Sequence, residues 1–171
     1  AGRVPVYFGI GAISTKKCCR LARMAVANGA AAVSVLQPMF LKPTYAELYD
    51  HFKTIAESVP ETPVLLYNNP GRVGYTLSAQ LVEELAHTVP NIVGMKDTSG
   101  DITQTSEFIR RTRDVEFKVF GGKDTLLYAS LCTVPWAAYA PQQTLCRSSS
   151  PMCTISTPPV IWQAVWRHSS S

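Results

Sequence analysis

The stretch Ile92-Val93-Gly94-Met95-Lys96-Asp97 is a short apolar run that ends abruptly in two charged residues. An apolar run of this length without alternation is typical of a strand in a parallel sheet, where both faces of the strand are covered. The pattern predicts a strand over residues 91–96. Working outward, comparable runs predict further strands over residues 4–10, 31–36, 63–67 and 116–120.

Longer amphipathic stretches separate these runs and predict helices. Their starts carry capping residues, and Thr44 with Glu47 has the spacing of a capping box. Helices are predicted over residues 14–28, 44–58, 78–87 and 101–113, with another beginning at Asp124. Five successive βα units fit two architectures, a (β/α)8 barrel and an open doubly wound sheet.

The composition excludes several classes of protein. The chain has 171 residues, a net charge of +4 and 46% hydrophobic residues, so we expect a folded core. Its one basic cluster, at residues 110–113, is explained by a helix end, so no nucleic-acid partner is predicted. No apolar run is long enough to span a membrane. The five cysteines show no metal-binding spacing, which indicates a reduced, cytoplasmic protein.

The amino-acid composition of the chain changes near residue 133. All twelve acidic residues and all ten glycines lie at or before Asp124, whereas all three tryptophans lie after Cys132. From Val134 onward, serine, threonine and proline dominate. We therefore predict a catalytic domain over residues 1–132 and an irregular Ser/Thr/Pro-rich tail over residues 133–171.

Lys96 is the residue whose position most clearly indicates a role in catalysis. In both architectures the working groups gather where the strands end, and Lys96 ends a buried strand. Apolar surroundings disfavour the charged form of an amine, and the neutral amine can attack a carbonyl carbon. The alternative is a lysine that extends to solvent or pairs with Asp97.

The end of the neighbouring strand and the loop that follows it carry two further groups that suit this chemistry. Tyr67 ends the neighbouring strand, where a phenol could carry protons to and from a carbinolamine and an imine. Arg72 follows a Pro-Gly turn, and its planar guanidinium suits the carboxylate of a 2-oxo acid. Taken alone, Tyr67 is better explained as an ordinary strand tyrosine. The alternative for Arg72 is a solvated loop arginine.

Two other features of the sequence could indicate a different chemistry. Gly9-x-Gly11 follows a strand and precedes a helix, as in an open-sheet nucleotide-binding oxidoreductase. The third glycine of that fingerprint is replaced by Ser14, and no acidic residue ends the next strand. His51 and His87 lie within predicted helices, away from any serine or cysteine with the setting of a nucleophile elbow.

Four motifs follow one another along the chain: residues 42–52, Tyr67-Asn68-Asn69-Pro70-Gly71-Arg72, Ile92-Val93-Gly94-Met95-Lys96-Asp97 and Gly121-Gly122-Lys123-Asp124. In order and spacing they resemble the dihydrodipicolinate synthase and N-acetylneuraminate lyase family. The resemblance runs from about residue 4 to residue 132. It implies an α/β fold, namely part of a (β/α)8 TIM barrel from about its third to its seventh strand.

The resemblance also implies a function and a set of roles. The family consists of lyases and aldolases that form a lysine Schiff base with pyruvate or another 2-oxo acid. Lys96 would form the Schiff base, Tyr67 would relay protons, Arg72 would hold a substrate carboxylate, and Gly122 would contact substrate through its backbone. No metal and no organic cofactor is implied, and the family usually assembles as homotetramers.

The chain departs from the family pattern in three ways. Phe40 stands where the synthases have a tyrosine, which leaves 2-keto-3-deoxy sugar-acid aldolases and N-acetylneuraminate lyase-like enzymes open as alternatives. The resemblance begins at the third strand, so the carboxylate-binding Gly-Thr-Thr-Gly-Glu-type loop has no counterpart. The tail from Val134 does not match, and one deleted base would convert the expected family sequence into it. As written, the chain is expected to be a poorly folded, inactive fragment.

Overall fold

The elements of the computed structural model alternate between strand and helix along the chain. The structure describes residues 5–123. In order, these contain β1 (Tyr7–Ile10), α1 (Thr15–Ala27), β2 (Ala32–Leu36), α2 (Tyr45–Glu57), β3 (Val64–Asn68), α3 (Pro70–Val73), α4 (Ala79–Thr88), β4 (Ile92–Asp97), α5 (Ile102–Arg111) and β5 (Lys118–Gly121).

Four of the predicted helices, α1, α2, α4 and α5, begin where the sequence predicts them, because a side chain caps each of these starts. Ser14 and Ser78 each accept a hydrogen bond from a backbone N–H of the first turn, and the Asp101 carboxylate accepts two. Thr44 and Glu47 form the expected capping box, with the Thr44 N–H donating to Glu47 Oε2 at 2.7 Å. These caps satisfy amide groups that the helix itself leaves unpaired.

The strand order decides between the two architectures. All neighbouring strands are parallel and their order is β1-β2-β3-β4-β5, the same as along the chain. A doubly wound sheet reverses its strand order at a switch point, whereas a barrel adds each strand on the same side. The consecutive order is that of a (β/α)8 barrel, and it removes the support for a nucleotide-binding open sheet.

The two faces of the sheet have different neighbours. On one face, apolar strand residues pack against the helices in the main core, which includes Val33, Val35, Val64, Leu66, Ile92, Met95, Phe52, Ile55, Leu81, Leu85 and Phe108. On the other face a small cluster forms around Leu65 and Phe120. Right-handed crossovers explain this arrangement, because they bring successive helices to the same face of a parallel sheet.

The structure adds one element that the sequence pattern did not predict. The short helix α3 lies directly after β3 and ends at Gly74, whose φ of 91° is the left-handed conformation that favours glycine. The helix predicted from Asp124 and the tail over residues 133–171 lie outside the described residues. Within residues 5–123, none of the helices combines the length and hydropathy that a bilayer span requires.

The basic cluster at the end of α5 is held by carboxylates. Arg110 Nε lies 2.7 Å from Glu107 Oε2, and Arg111 Nε lies 2.6 Å from Glu107 Oε1. Arg111 also reaches across to α4, where its Nη1 lies 2.7 Å from Glu83 Oε2. Hydrogen bonds from these two guanidinium groups lower the pKa of Glu107 to about 2. Ion pairing explains the cluster more directly than the helix dipole.

His51 is buried between α1 and α2. It is 5% exposed, its Nδ1 lies 2.8 Å from Thr15 Oγ1, and its ring meets Phe52 edge-on. Among the described residues, nothing pairs with its buried Nε2. Burial lowers the pKa of His51 from 6.5 to about 4, because the charged ring would lose its hydration.

We expect the free energy of unfolding to decrease as the pH falls from about 6.5 to about 4. In that window the unfolded chain binds a proton at His51 that the folded chain excludes, at a cost of up to roughly 3 kcal/mol. Urea unfolding across this range should show that His51→Gln flattens the decrease.

His87→Gln provides the control for this effect. His87 is a surface residue whose pKa is raised by a hydrogen bond to Asp114, so its protonation favours the folded chain at low pH. The variant should keep or steepen the decrease in stability. An equal pH dependence in His51→Gln and the unsubstituted chain would show that His51 is not its source.

Candidate functional site

Tyr67 and Lys96 meet at the carboxyl ends of β3 and β4. They are register partners on adjacent parallel strands, so their side chains project from the same face of the sheet. Lys96 Nζ lies 4.9 Å from the centroid of the Tyr67 ring, within the range of a cation–π contact. Both residues are half-buried. The structure therefore brings together the two groups that the sequence predicts as amine and proton relay.

The phenol of Tyr67 has one hydrogen-bond partner among the described residues. Asn69 Nδ2 donates to the phenolic oxygen at 3.0 Å. The phenol accepts in this bond, so its own proton stays available for transfer. Asn69 is held in turn by Gln37, whose Oε1 accepts from the Asn69 N–H at 3.2 Å.

Gly122 lies against the Lys96 side chain. Its N–H donates to the Asp97 carbonyl at 2.7 Å, so a backbone contact with substrate would use the Gly122 carbonyl. A Cβ atom at this position would lie 3.1 Å from Lys96 Cε and would collide with Thr98 Oγ1. Glycine is required here because the chain approaches the amine closely.

Thr98 is a site residue that the sequence reasoning missed. Its Oγ1 is buried and has no hydrogen-bond partner among the described residues, and it adjoins Gly122 beside Lys96. A buried hydroxyl without a partner is costly unless something else, such as a ligand, can satisfy it. The available signal was its spacing, since a residue two positions after Lys96 continues along the same side of the chain.

Arg72 lies at the same end of the sheet but apart from the pair. It belongs to α3, immediately after β3, and its side chain is exposed. Within residues 5–123, no hydrogen bond or ion pair holds its guanidinium. The structure thus places Arg72 at the rim and leaves its contact with a substrate as a prediction.

Phe40 projects from the loop between β2 and α2. It is 83% exposed and its neighbour Leu41 is 80% exposed. Phe40 also has a φ of 74°, a left-handed conformation that costs a residue with a side chain on the order of 1 kcal/mol. A phenylalanine side chain at this position has no hydroxyl.

Metal ligands are not clustered in the part of the chain that the structure describes. No group of three or more His, Cys, Asp or Glu side chains has a geometry that could hold a metal ion there.

Comparison with known proteins identifies the family. The model of the dihydrodipicolinate synthetase family matches residues 1–133. The chain belongs to this family. A 4-hydroxy-tetrahydrodipicolinate synthase from Methanoculleus marisnigri is 46% identical over 125 residues, which are 73% of this chain and 42% of that protein. A synthase of the same name from Sorangium cellulosum is 40% identical over 130 residues, or 76% of this chain and 42% of that protein.

Solved structures of family members share the fold. A dihydrodipicolinate synthase from Acinetobacter baumannii in complex with pyruvate superimposes with a TM-score of 0.77 at 36% identity, covering 84% of this chain and 47% of that one. A prophage protein of the dihydrodipicolinic acid synthase family from E. coli K12, also in complex with pyruvate, gives 0.77 at 31% identity, covering 82% and 47%. This chain spans about 42% of the length of these two curated relatives.

Proposed function

We propose that this chain belongs to a carbon–carbon lyase or synthase that forms a Schiff base between Lys96 and a 2-oxo acid, with pyruvate as the preferred acid. The observation that carries the proposal is the register pair of Tyr67 and Lys96, with the amine 4.9 Å from the phenol ring centroid. The names of its relatives favour a reaction like that of 4-hydroxy-tetrahydrodipicolinate synthase, in which the 2-oxo acid condenses with an aldehyde.

The proposed chemistry starts at the Lys96 amine. Neutral Nζ attacks the keto carbon of pyruvate, and one proton passes from the attacking nitrogen to the keto oxygen to give a neutral carbinolamine. Tyr67 donates its phenolic proton as the carbinolamine hydroxyl leaves as water, which produces the protonated imine and a Tyr67 phenolate. The protonated imine then withdraws electrons from the methyl carbon, which gives a proton to the Tyr67 phenolate and becomes the nucleophilic carbon of an enamine.

The other site residues serve binding in this proposal. Arg72, at the rim, holds the carboxylate of an arriving substrate through its guanidinium. The Gly122 carbonyl contacts substrate beside Lys96, and the absence of a side chain keeps space for the imine. The Thr98 hydroxyl, which has no hydrogen-bond partner within residues 5–123, offers one more polar contact at the same place.

The aldehyde partner is the less constrained part of the proposal. Phe40, which has no hydroxyl where the synthases have a tyrosine, keeps 2-keto-3-deoxy sugar-acid aldolases and N-acetylneuraminate lyase-like enzymes as the second candidate function. In either case we propose a cytoplasmic protein that assembles with copies of itself, as its family usually does. The groups proposed for imine formation all lie within residues 67–122, so we propose that the chain carries out this half of the reaction, in contrast to the inactive fragment that the sequence led us to expect.

The experiment that tests the proposal is deuterium exchange into pyruvate. Enamine formation releases a methyl proton, and the reverse step takes a deuteron from D₂O. We expect proton NMR to show loss of the pyruvate methyl signal in the presence of the chain, and only the buffer rate with Lys96→Arg. Exchange at the buffer rate with the unsubstituted chain would contradict a Schiff-base function.

A further inference from the structure

A buried polar cluster lies directly behind Tyr67 and Lys96. Gln37, Asn68 and Asp97 are 1%, 0% and 3% exposed, and they stand at the carboxyl ends of β2, β3 and β4. Asn68 and Asp97 are register partners one position after the Tyr67–Lys96 pair. Because successive side chains of a strand alternate, they project from the opposite face of the sheet, toward the helices.

The Asn68 amide connects the strand ends to each other and to the loop that follows α3. Its Nδ2 donates to Asp97 Oδ1 at 2.9 Å and to Thr76 Oγ1 at 3.1 Å. Its Oδ1 accepts from the Leu77 N–H at 3.1 Å and from Gln37 Nε2 at 3.3 Å. One side chain thus joins β2, β3 and β4 at the level of the site.

The Asp97 carboxylate is buried without a cationic partner among the described residues, and hydrogen bonds satisfy it. Ser99 donates twice, from its N–H at 3.1 Å and from its hydroxyl at 2.9 Å. Thr105 Oγ1 on α5 donates at 2.5 Å, and Asn68 supplies the fourth bond. A buried carboxylate with this many donors is fixed in place, because moving it would leave several groups unpaired.

We propose that Asn68 and Asp97 are positioning residues for the Schiff-base reaction. This inference rests on the proposed function, and it assigns the pair a task beyond stability. The Asn68–Asp97 bond fixes how far β3 and β4 are offset at their ends, and that offset sets where Lys96 Nζ stands relative to the Tyr67 phenol. A displacement of about 1 Å between reacting groups can slow a reaction roughly a hundredfold.

The test compares Asn68→Leu with a matched control at the opposite end of β4. Asn91 is a half-buried amide, and its Nδ2 donates to the carbonyls of Ala56, Val59 and Thr62 at 2.9, 3.1 and 3.2 Å. Asn91→Leu therefore removes a comparable set of hydrogen bonds far from the amine. Urea unfolding of both variants gives their losses of stability on one scale.

The first readout is the nucleophilicity of Lys96, which needs no substrate. Competitive acylation followed by peptide mass spectrometry gives the reactivity of Lys96 relative to Lys53 on α2, whose side chain is 44% exposed. We expect this ratio to change by about fivefold or more in Asn68→Leu and by less than twofold in Asn91→Leu. Asn68→Ser, which keeps a small polar side chain but loses the bond to Asp97, serves as a second variant if Asn68→Leu does not fold.

The second readout is the rate of borohydride-trapped imine formation with pyruvate. In Asn68→Leu the rate at saturating pyruvate should fall about tenfold or more, with less than a threefold change in the half-saturating concentration. Equal ratios for both asparagine variants, or an unchanged Lys96 reactivity in Asn68→Leu, would overturn the positioning role. A lack of imine in the unsubstituted chain would reject the proposed function, and the acylation comparison would still decide the role of Asn68.

Discussion

Tyr67→Phe is expected to slow deuterium exchange into pyruvate by a factor of about 10² to 10⁴, the range that a positioned general acid–base contributes. The variant loses only the phenolic oxygen, so the ring keeps its contact with Lys96 Nζ. Among the described residues, the variant loses one hydrogen bond, the half-buried one that Asn69 Nδ2 donates to the phenolic oxygen. We therefore expect little change in stability. The proton relay is therefore removed while the amine stays in place.

Tyr75→Phe is the matched control for this prediction. Tyr75 is buried, its hydroxyl donates to the Pro38 carbonyl at 2.8 Å, and burial raises its pKa to about 12. It stays protonated and engaged, so it cannot relay protons at neutral pH. Its variant should exchange pyruvate protons within about threefold of the unsubstituted rate. A similarly small effect of Tyr67→Phe would mean that another group moves the proton.

Gly122→Ala is expected to slow formation of the pyruvate imine about a hundredfold. The added methyl group would collide with Thr98 Oγ1 and press on Lys96 Cε at 3.1 Å, so the amine must move from its place beside Tyr67. A displacement of about 1 Å between reacting groups is enough to slow a reaction about a hundredfold. The measurement is the rate at which borohydride-trapped adduct accumulates at saturating pyruvate.

Gly71→Ala distinguishes this steric effect from a general intolerance of alanine at this end of the sheet. Gly71 lies in α3 next to Arg72, and a Cβ there would have Asn69 Oδ1 as its neighbour at 3.8 Å, an ordinary van der Waals distance. Adduct formation should stay within about twofold of the unsubstituted rate. If both glycine variants lose activity equally, the close approach of Gly122 to Lys96 is not the cause.

Local patterns in the sequence predicted the secondary structure well because each element carries its own signal. The apolar run before Lys96 and the caps at Thr44 and Asp101 act over a few residues, so they are visible without tertiary information. The strand bounds moved by one to three positions: β4 ends at Asp97 and not at Lys96, and β1 begins at Tyr7 and not at residue 4. Strand order depends on contacts distant in sequence, and only the resemblance to a family favoured the barrel.

The site was predicted in part for a similar reason. Lys96 and Tyr67 stand out because they end apolar strands, and alternation alone puts them on one face once the strands are paired in register. The polar residues that follow them, Asn68 and Asp97, resemble ordinary loop residues in the sequence. Their burial and mutual hydrogen bond arise from packing against α5, which no local pattern encodes. The Thr98 hydroxyl, buried and without a hydrogen-bond partner in the described part of the chain, is likewise visible only in three dimensions.

The most direct measurement is peptide mass spectrometry of the chain after incubation with pyruvate and borohydride. We expect one reduced adduct per chain, located on Lys96. The adduct should be absent from Lys96→Arg and retained in Lys123→Arg, because Lys123 lies exposed beyond β5. An adduct that persists in Lys96→Arg, or one spread over the exposed lysines, would contradict the assignment of Lys96 as the Schiff-base amine.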